Sequence, residues 1–178
     1  MLDHVILVDT NDLQIGTEEK LTAHQKGLLH RAFSIFIFNK DGEMLIHQRA
    51  LSKYHSGGLW TNACCSHPRP GETLEQATHR RLREELGFDC SLQKMFHFTY
   101  KVNLEKDGLF EHEFDHVFFG TFDGTILPSP SEIEGIAWIT LDKLIADVRN
   151  HPENYTYWFL ASFDKVISYA QAYIKKPN

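Results

Sequence analysis

Two of the three cysteines of the chain stand side by side in TNACCSHP, residues 61–68, and His67 follows the second by two positions. Sulfur and imidazole this close together can hold a metal, cycle a disulfide, or move a proton as acid and base. A bridge between Cys64 and Cys65 would close a strained, tiny ring, and a tetrathiolate zinc site needs a C-x2-C pair that the sequence lacks. A second cluster lies in EHEFDH, residues 111–116. There Glu111, Glu113 and Asp115 alternate and so share one face of a strand. Three acids on one face ordinarily form a solvated edge. With imidazoles beside them they can instead coordinate a cation such as Mn²⁺, Zn²⁺ or Fe²⁺. His24 and His30, in AHQKGLLHRAF, and His67 are the candidate partners among eleven histidines. Taken singly, each is more often a surface or hydrogen-bonded histidine. Lys20, Arg49, Lys53 and Arg81 are the cations that could hold phosphate. QRALSK puts Arg49 and Lys53 just past a strand, where a pocket rim could form, although a solvated basic turn is the plainer reading of either alone.

The elements that must position these groups follow from pattern. HVILVD, residues 4–9, reads as a strand. AFSIFIFN (32–39), the turn Lys40-Asp41-Gly42 and EMLIHQR (43–49) predict a β-hairpin. Gly57, Gly58, Pro68, Pro70 and Gly71 punctuate a long loop. Thr73 is an N-cap with Gln76 at the capping-box position, so a helix is predicted over about 74–86, closed by Gly87. Leu74, Thr78, Leu82 and Leu86 would line its buried face. HFTYKVN, EHEFDHVFFGTF and GIAWIT read as further strands. LDKLIADV reads as a helix before Pro152, and a last helix starts near Thr156 and carries Trp158, Leu160, Phe163, Val166 and Ile167. The order implies an α/β (α+β) fold: a mixed β-sheet sandwich flanked by helices, one domain over residues 1–178.

Composition narrows the function. The chain has 178 residues, 42% hydrophobic and 24% charged, which suits a packed core. A net charge of -6 disfavours nonspecific nucleic-acid binding, though a local basic pocket for a small anion is compatible with it. The odd, low cysteine count without disulfide spacing fits a reducing cytoplasm. MLDHVILVD has no basic start and no cleavage site, and no apolar run is long enough to span a bilayer. The expected partner is therefore a small molecule, not nucleic acid or membrane, and the expected assembly is a monomer or weak homodimer.

RRLREELGF, residues 80–88, resembles the Nudix box, G-x5-E-x7-R-E-U-x-E-E-x-G-U with U a bulky apolar residue. Aligned on Gly87, Arg80, Leu82, Glu84, Glu85 and Phe88 match, and Glu72 falls on the first glutamate. Ser66 stands where the first glycine belongs, and Arg81 replaces the glutamate of the RE pair. In Nudix hydrolases the carboxylates of this helix gather cations that activate water against a diphosphate. Arg81 removes one such ligand and adds a fixed positive charge. Arg81 and Glu85, four apart, share a side of the helix. One could grip a diphosphate while the other holds its Mg²⁺; a surface ion pair is the simpler alternative.

In order along residues 18–159, EEKLTAH, LLHRAFSIFIFN, RALSK, GLWTNACCSHP, RRLREELG, FTYK, EHEFDH and YTYWF resemble the type 1 isopentenyl-diphosphate isomerases, enzymes of the Nudix fold. WTNxxCSHP with a later EHE is the specific part. The resemblance implies that Cys65 and Glu113 are catalytic and that Cys64 is structural. It assigns one divalent cation, Mn²⁺ or Zn²⁺, to His24, His30, His67, Glu111 and Glu113. A Mg²⁺ arriving with the substrate diphosphate would use Glu85 and the carbonyl of Cys65. Lys20, Arg49, Lys53 and Arg81 match diphosphate-contacting positions. Tyr100 and Trp158 match aromatic positions beside the reacting carbons, although Tyr157 stands where the family often has proline. The implied reaction moves a double bond through a tertiary carbocation, with Cys65 and Glu113 on opposite faces of the alkene. Exclusion of water is expected of the C-terminal helix and the N-terminal segment. A Nudix diphosphohydrolase and a noncatalytic, metal-stabilised interaction module are the competing readings.

Overall fold

The central strand is β3, His30–Phe38, apolar on both sides and buried at every position but Arg31. A strand with two buried faces must lie inside a sheet, with layers packed on either side. The structure, a computed structural model, describes residues 3–53, 55–104 and 108–175; Met1 and Leu2 of the N-terminal run lie outside them. In it β3 runs parallel to β8, Leu109–Thr121, from His30 opposite Glu113 to Phe38 opposite Thr121. It also pairs antiparallel with the short strand β6, Cys64–Ser66, with Ser34 opposite Cys65. β8 carries a long antiparallel partner, β7, Leu92–Leu104. β4, Met44–Arg49, pairs with β9, Ile133–Ile139, and with β5, Trp60–Thr61. The N-terminal strands β1, His4–Val8, and β2, Gln14–Glu19, form their own antiparallel pair, and Leu7 meets His30.

The predicted hairpin forms only in part. β3 and β4 pair at Phe38 and Met44 beside their turn and then part company. Both edges of β3 are taken by β8 and β6, so β4 finds its partners in β9 and β5. The stretch read as one long loop also contains β5 and β6, strands too short for a periodicity to reveal.

Alternation along β3 divides the core. Phe36 and Phe38, with Val117 and Phe119 of β8, pack against α3, Leu141–Asn150, and α4, Tyr157–Tyr173. Phe33, Ile35 and Ile37 pack against α2, Leu74–Leu86. The α2 boundaries match the pattern. Thr73 and Gln76 form a reciprocal capping box, and Gly87 closes the helix at φ 71°. A side chain at Gly87 would also put its Cβ 2.8 Å from that of Leu127, so only glycine fits there. Ala77, Thr78, Leu82, Glu85 and Leu86 are buried, and Leu74 is half-buried at the helix start. The short helix α1, Lys20–Lys26, was not legible as a period. The Glu19 carboxylate caps it by accepting from the Leu21 and Thr22 amides.

The same alternation separates the adjacent cysteines. Cys64 is fully buried in the core beneath α2, whereas Cys65 faces the α4 side. The polar ends of β3 and β8 lie on that side too: His30 and Ser34 precede Phe36, and Glu111, Glu113 and Asp115 precede Val117. One face of each strand thus changes from chemistry to core along its length.

Candidate active site

His30 opens β3 and is wholly buried; its Nδ1–H donates to the Leu28 carbonyl at 2.8 Å. That bond fixes the tautomer and leaves Nε2 as a bare lone pair. α1 orients His24 in the same manner, Nδ1–H donating to the Lys20 carbonyl at 2.7 Å. His67 follows β6 and brings its Nε2 to 3.2 Å from that of His30 and 2.8 Å from Glu113 Oε1. Glu113 Oε1 is 3.6 Å from His30 Nε2. Donor atoms of His24, His30, His67 and Glu113 all lie within 4.8 Å of one another.

Three imidazole nitrogens and a carboxylate oxygen that converge in this way can turn their lone pairs to one cation. Two nitrogen donors each about 2.1 Å from one metal stand roughly 3.0–3.4 Å apart, so the His30–His67 spacing fits a common ion. The four residues are consistent with a divalent metal site. Glu111 stands one step out, with Oε2 3.4 Å from His24 and Oε1 3.4 Å from His55.

The remaining groups share the cavity on which this cluster opens. It is lined by Lys20, Arg49, Lys53, Arg81, Cys65 and Trp158, as well as by Tyr100, Glu111 and Glu113. Cys65, Glu113, Tyr100 and Trp158 therefore face one space. The Tyr100 hydroxyl donates to Glu113 Oε2 at 2.7 Å, so each oxygen of Glu113 has its own neighbour. The Cys65 thiol donates to Asn62 Oδ1 at 2.9 Å and lies 3.3 Å from the Ser34 hydroxyl. Ser34 in turn donates to Asp115 Oδ2 at 2.7 Å.

Burial works against ionisation of Glu113, but its interactions with His30 and His67 outweigh it and hold its carboxyl well below the usual range. Burial and then the neighbouring Glu113 push Glu111 up, and the same two causes push Asp115 up further. Burial holds His67 down at about 3, the neutral state a metal ligand needs, although Glu113 opposes it. The Cys65 thiol is raised by burial and by Asp115. Tyr100 is raised by burial and Glu113, so its phenol keeps the proton it donates.

Two simpler alternatives are excluded. The acids of β8 are not a solvated edge: Glu111, Glu113 and Asp115 are all buried. The Arg81–Glu85 pair is not superficial either. Glu85 is 3% exposed and bound by Arg81, which also reaches Glu84 at 3.0 Å and Glu132 at 3.5 Å. Glu85 does not line the cavity directly; its guanidinium partner does. Lys53 is likewise paired with Glu132. The Arg49 guanidinium stands 5.1 Å from the centroid of the Trp158 ring. Asp3, at the start of the described chain, also lines the cavity.

Sequence reading missed His55, Glu132, Asn62 and Ser34. His55 packs edge-on to Trp158 with ring centroids 5.7 Å apart, beside Glu111. The one available signal for His55 was its place two residues after Lys53; Asn62 stands in TNACCSHP but carries no titratable group, and Ser34 and Glu132 lie outside the motifs singled out.

A NUDIX domain model matches residues 28–159. The fold recurs in a protein of Deinococcus radiodurans, with a TM-score of 0.69 at 23% identity over 83% of this chain and 90% of that one. It recurs again in a MutT protein of Methanosarcina mazei, TM-score 0.64 at 19% identity, covering 83% and 96%. These likenesses define a protein of the Nudix fold. Isopentenyl-diphosphate delta-isomerase 2 of Aromatoleum aromaticum is 52% identical over 94% of this chain and 88% of its own length. The isopentenyl-diphosphate delta-isomerase of Burkholderia multivorans is 50% identical over 89% and 90%. The chain belongs to the isopentenyl-diphosphate delta-isomerase family.

Proposed function

We propose that the protein interconverts isopentenyl diphosphate and dimethylallyl diphosphate by adding a proton to one face of the alkene and removing another from the opposite face, with Cys65 and Glu113 as the two groups. An alkene is a very weak base, so an acid must be placed at its terminal carbon. The resulting tertiary cation loses a different proton from the neighbouring carbon. What supports the reading is that the Cys65 thiol and the Glu113 carboxyl line one cavity together with four cationic side chains. In the reverse reaction the two groups exchange roles. A placed acid or base contributes roughly 10²–10⁴-fold, so both groups and the binding of the diphosphate share the acceleration.

Trp158, with Tyr100, offers the cation an aromatic face, an attraction worth up to about 2 kcal/mol in a dry site. Arg49 already stands over that ring, and a bound diphosphate would draw the guanidinium toward itself. Lys20, Lys53 and Arg81 complete the anion site. Asp3 and Trp158 at its border support the assignment of water exclusion to the N-terminal segment and α4. His24, His30, His67, Glu111 and Glu113 would hold a Mn²⁺ or Zn²⁺ ion, and Glu85 with the Cys65 carbonyl a Mg²⁺ arriving with the substrate. Such ions polarise a carboxyl group and screen diphosphate charge.

The active unit is proposed to be a monomer or weak homodimer, each chain one domain over residues 1–178. Three free cysteines support a cytoplasmic setting. No helix among the described residues is long and apolar enough to cross a membrane.

Incubation with labelled isopentenyl diphosphate and Mg²⁺ should give the allylic isomer; released phosphate would instead point to a hydrolase. Cys65→Ala should abolish turnover with little change in melting temperature or metal content. Loss of fold and metal together would favour a structural metal module.

A further inference from the structure

Between Trp158 and Cys65 runs an unbroken line of hydrogen bonds whose direction is fixed. The indole Nε1–H of Trp158 can only donate, and it donates to Thr61 Oγ1 at 2.9 Å. The Thr156 hydroxyl, at the start of α4, donates to the same oxygen at 3.0 Å. With both acceptor positions of Thr61 filled, its own proton goes to Asn62 Oδ1 at 3.0 Å. Asn62 Nδ2 donates to the carbonyls of Ile35 and Cys64 at 2.9 and 3.0 Å, which fixes the amide orientation. Asn62 Oδ1 is therefore an acceptor, and it takes the Cys65 S–H at 2.9 Å. Thr61 is 1% exposed and Asn62 0%, and every donor and acceptor of their side chains is used. Burying two such groups is costly unless a network satisfies them completely.

We propose that Thr61 and Asn62 are positioning residues, which tie the Cys65 sulfur on β6 to the Trp158 ring on α4 so that the proton-transferring atom and the cation-facing ring share one rigid frame. Neither residue reaches the substrate; both act through their neighbours. The proposal rests on the reading that Cys65 and Trp158 serve the reaction. Proton transfer needs the acid aimed at one carbon while the ring faces the cation that results. A displacement near 1 Å of either group can cost on the order of 100-fold in rate. Substrate binding through the diphosphate is left largely alone, because none of its cations belongs to this line.

The test compares Thr61→Val, which keeps the shape and removes the hydroxyl, with Thr61→Ser, which restores it. For isopentenyl diphosphate with Mg²⁺, Thr61→Val should lower kcat by about 10- to 100-fold and leave KM within about twofold, and Thr61→Ser should recover most of the loss. In ¹⁵N-labelled protein the Trp158 indole resonance, assigned with Trp158→Phe, should move in the valine variant and stay in the serine variant. If Thr61→Val fails to fold, Thr61→Ala carries the same comparison. A valine or alanine variant with undiminished kcat overturns the proposal. So does a folded serine variant that stays as slow as the valine one, or an indole resonance that does not move. Cys65→Ala is measured alongside. If it retains turnover, the reading beneath fails and the proposal with it; if it is inactive while Thr61→Val is fully active, the positioning role alone fails.

Discussion

Glu113 is in contact with both halves of the site, since one oxygen meets the imidazoles and the other takes the Tyr100 proton. Glu113→Gln keeps the volume but supplies a neutral amide, which neither gives nor takes a proton at carbon. Its kcat should fall by at least about 10²–10⁴-fold in the isomerisation assay. Affinity for the metal should fall by about 10–100-fold, read as metal content after dialysis. Unchanged kinetics would remove Glu113 from the reaction. The clusters holding Cys64, Cys65, His67, Glu111, Glu113 and Asp115 stood out in the sequence because thiol, imidazole and carboxylate gather there in short motifs, and the family resemblance picked Cys65 and Glu113 from among them. Ser34 and Asn62 could not, because an amide or hydroxyl gains its role only from what folding brings to it.

α2 keeps the outline of the Nudix box but uses its charges differently. Glu72 is clamped by Arg80 through bonds of 2.7 and 2.8 Å, a structural brace at the entry to the helix. The Arg80 hydrogen bond holds the Glu72 carboxyl below its ordinary 4.5. The folded state therefore binds this proton less readily than the unfolded one. The brace stabilises the fold above about pH 4.5 and is lost as pH falls through the lower folded value. Glu72→Gln should lower the melting temperature at neutral pH and flatten its decline below pH 4.5, measured by thermal melts across pH. Arg81→Ala removes a proposed diphosphate contact and also leaves Glu85 buried without its cation. It should raise KM and cost about 3–5 kcal/mol of stability. Arg81→Ala with Glu85→Gln should regain much of that stability but none of the affinity for substrate; calorimetry and steady-state kinetics separate the two effects. The limits of α2 were readable because capping box, apolar period and terminal glycine agree. The divergence of β3 from β4 was not, since pairing partners from distant segments decide it.

For the molecule as a whole, acid is the expected weakness. His47 is buried on β4 and donates Nδ1–H to the Ala63 carbonyl at 3.1 Å; burial, then Arg49, pushes it down to about 4. Its unfolded value is near 6.5, so the unfolded chain takes up the proton first as pH falls. Stability from the neutral ring is complete above about pH 6.5 and drains away toward pH 4, by roughly 3 kcal/mol at most. His47→Gln should reduce the slope of melting temperature against pH in that window. An unaltered slope would show that other groups govern it. The general architecture was legible because aromatic and β-branched runs announce strands and amphipathic runs announce helices, whereas short β5, β6 and α1 leave no such trace. β6 and β8 both flank β3, one antiparallel and the other parallel, and each carries one of the two groups proposed to react, Cys65 and Glu113. The gap proposed for the alkene is consequently woven from neighbouring strands rather than measured out by the peptide joining them. Lengthening an exposed turn such as 40–42 would leave that weave, and the chemistry with it, in place.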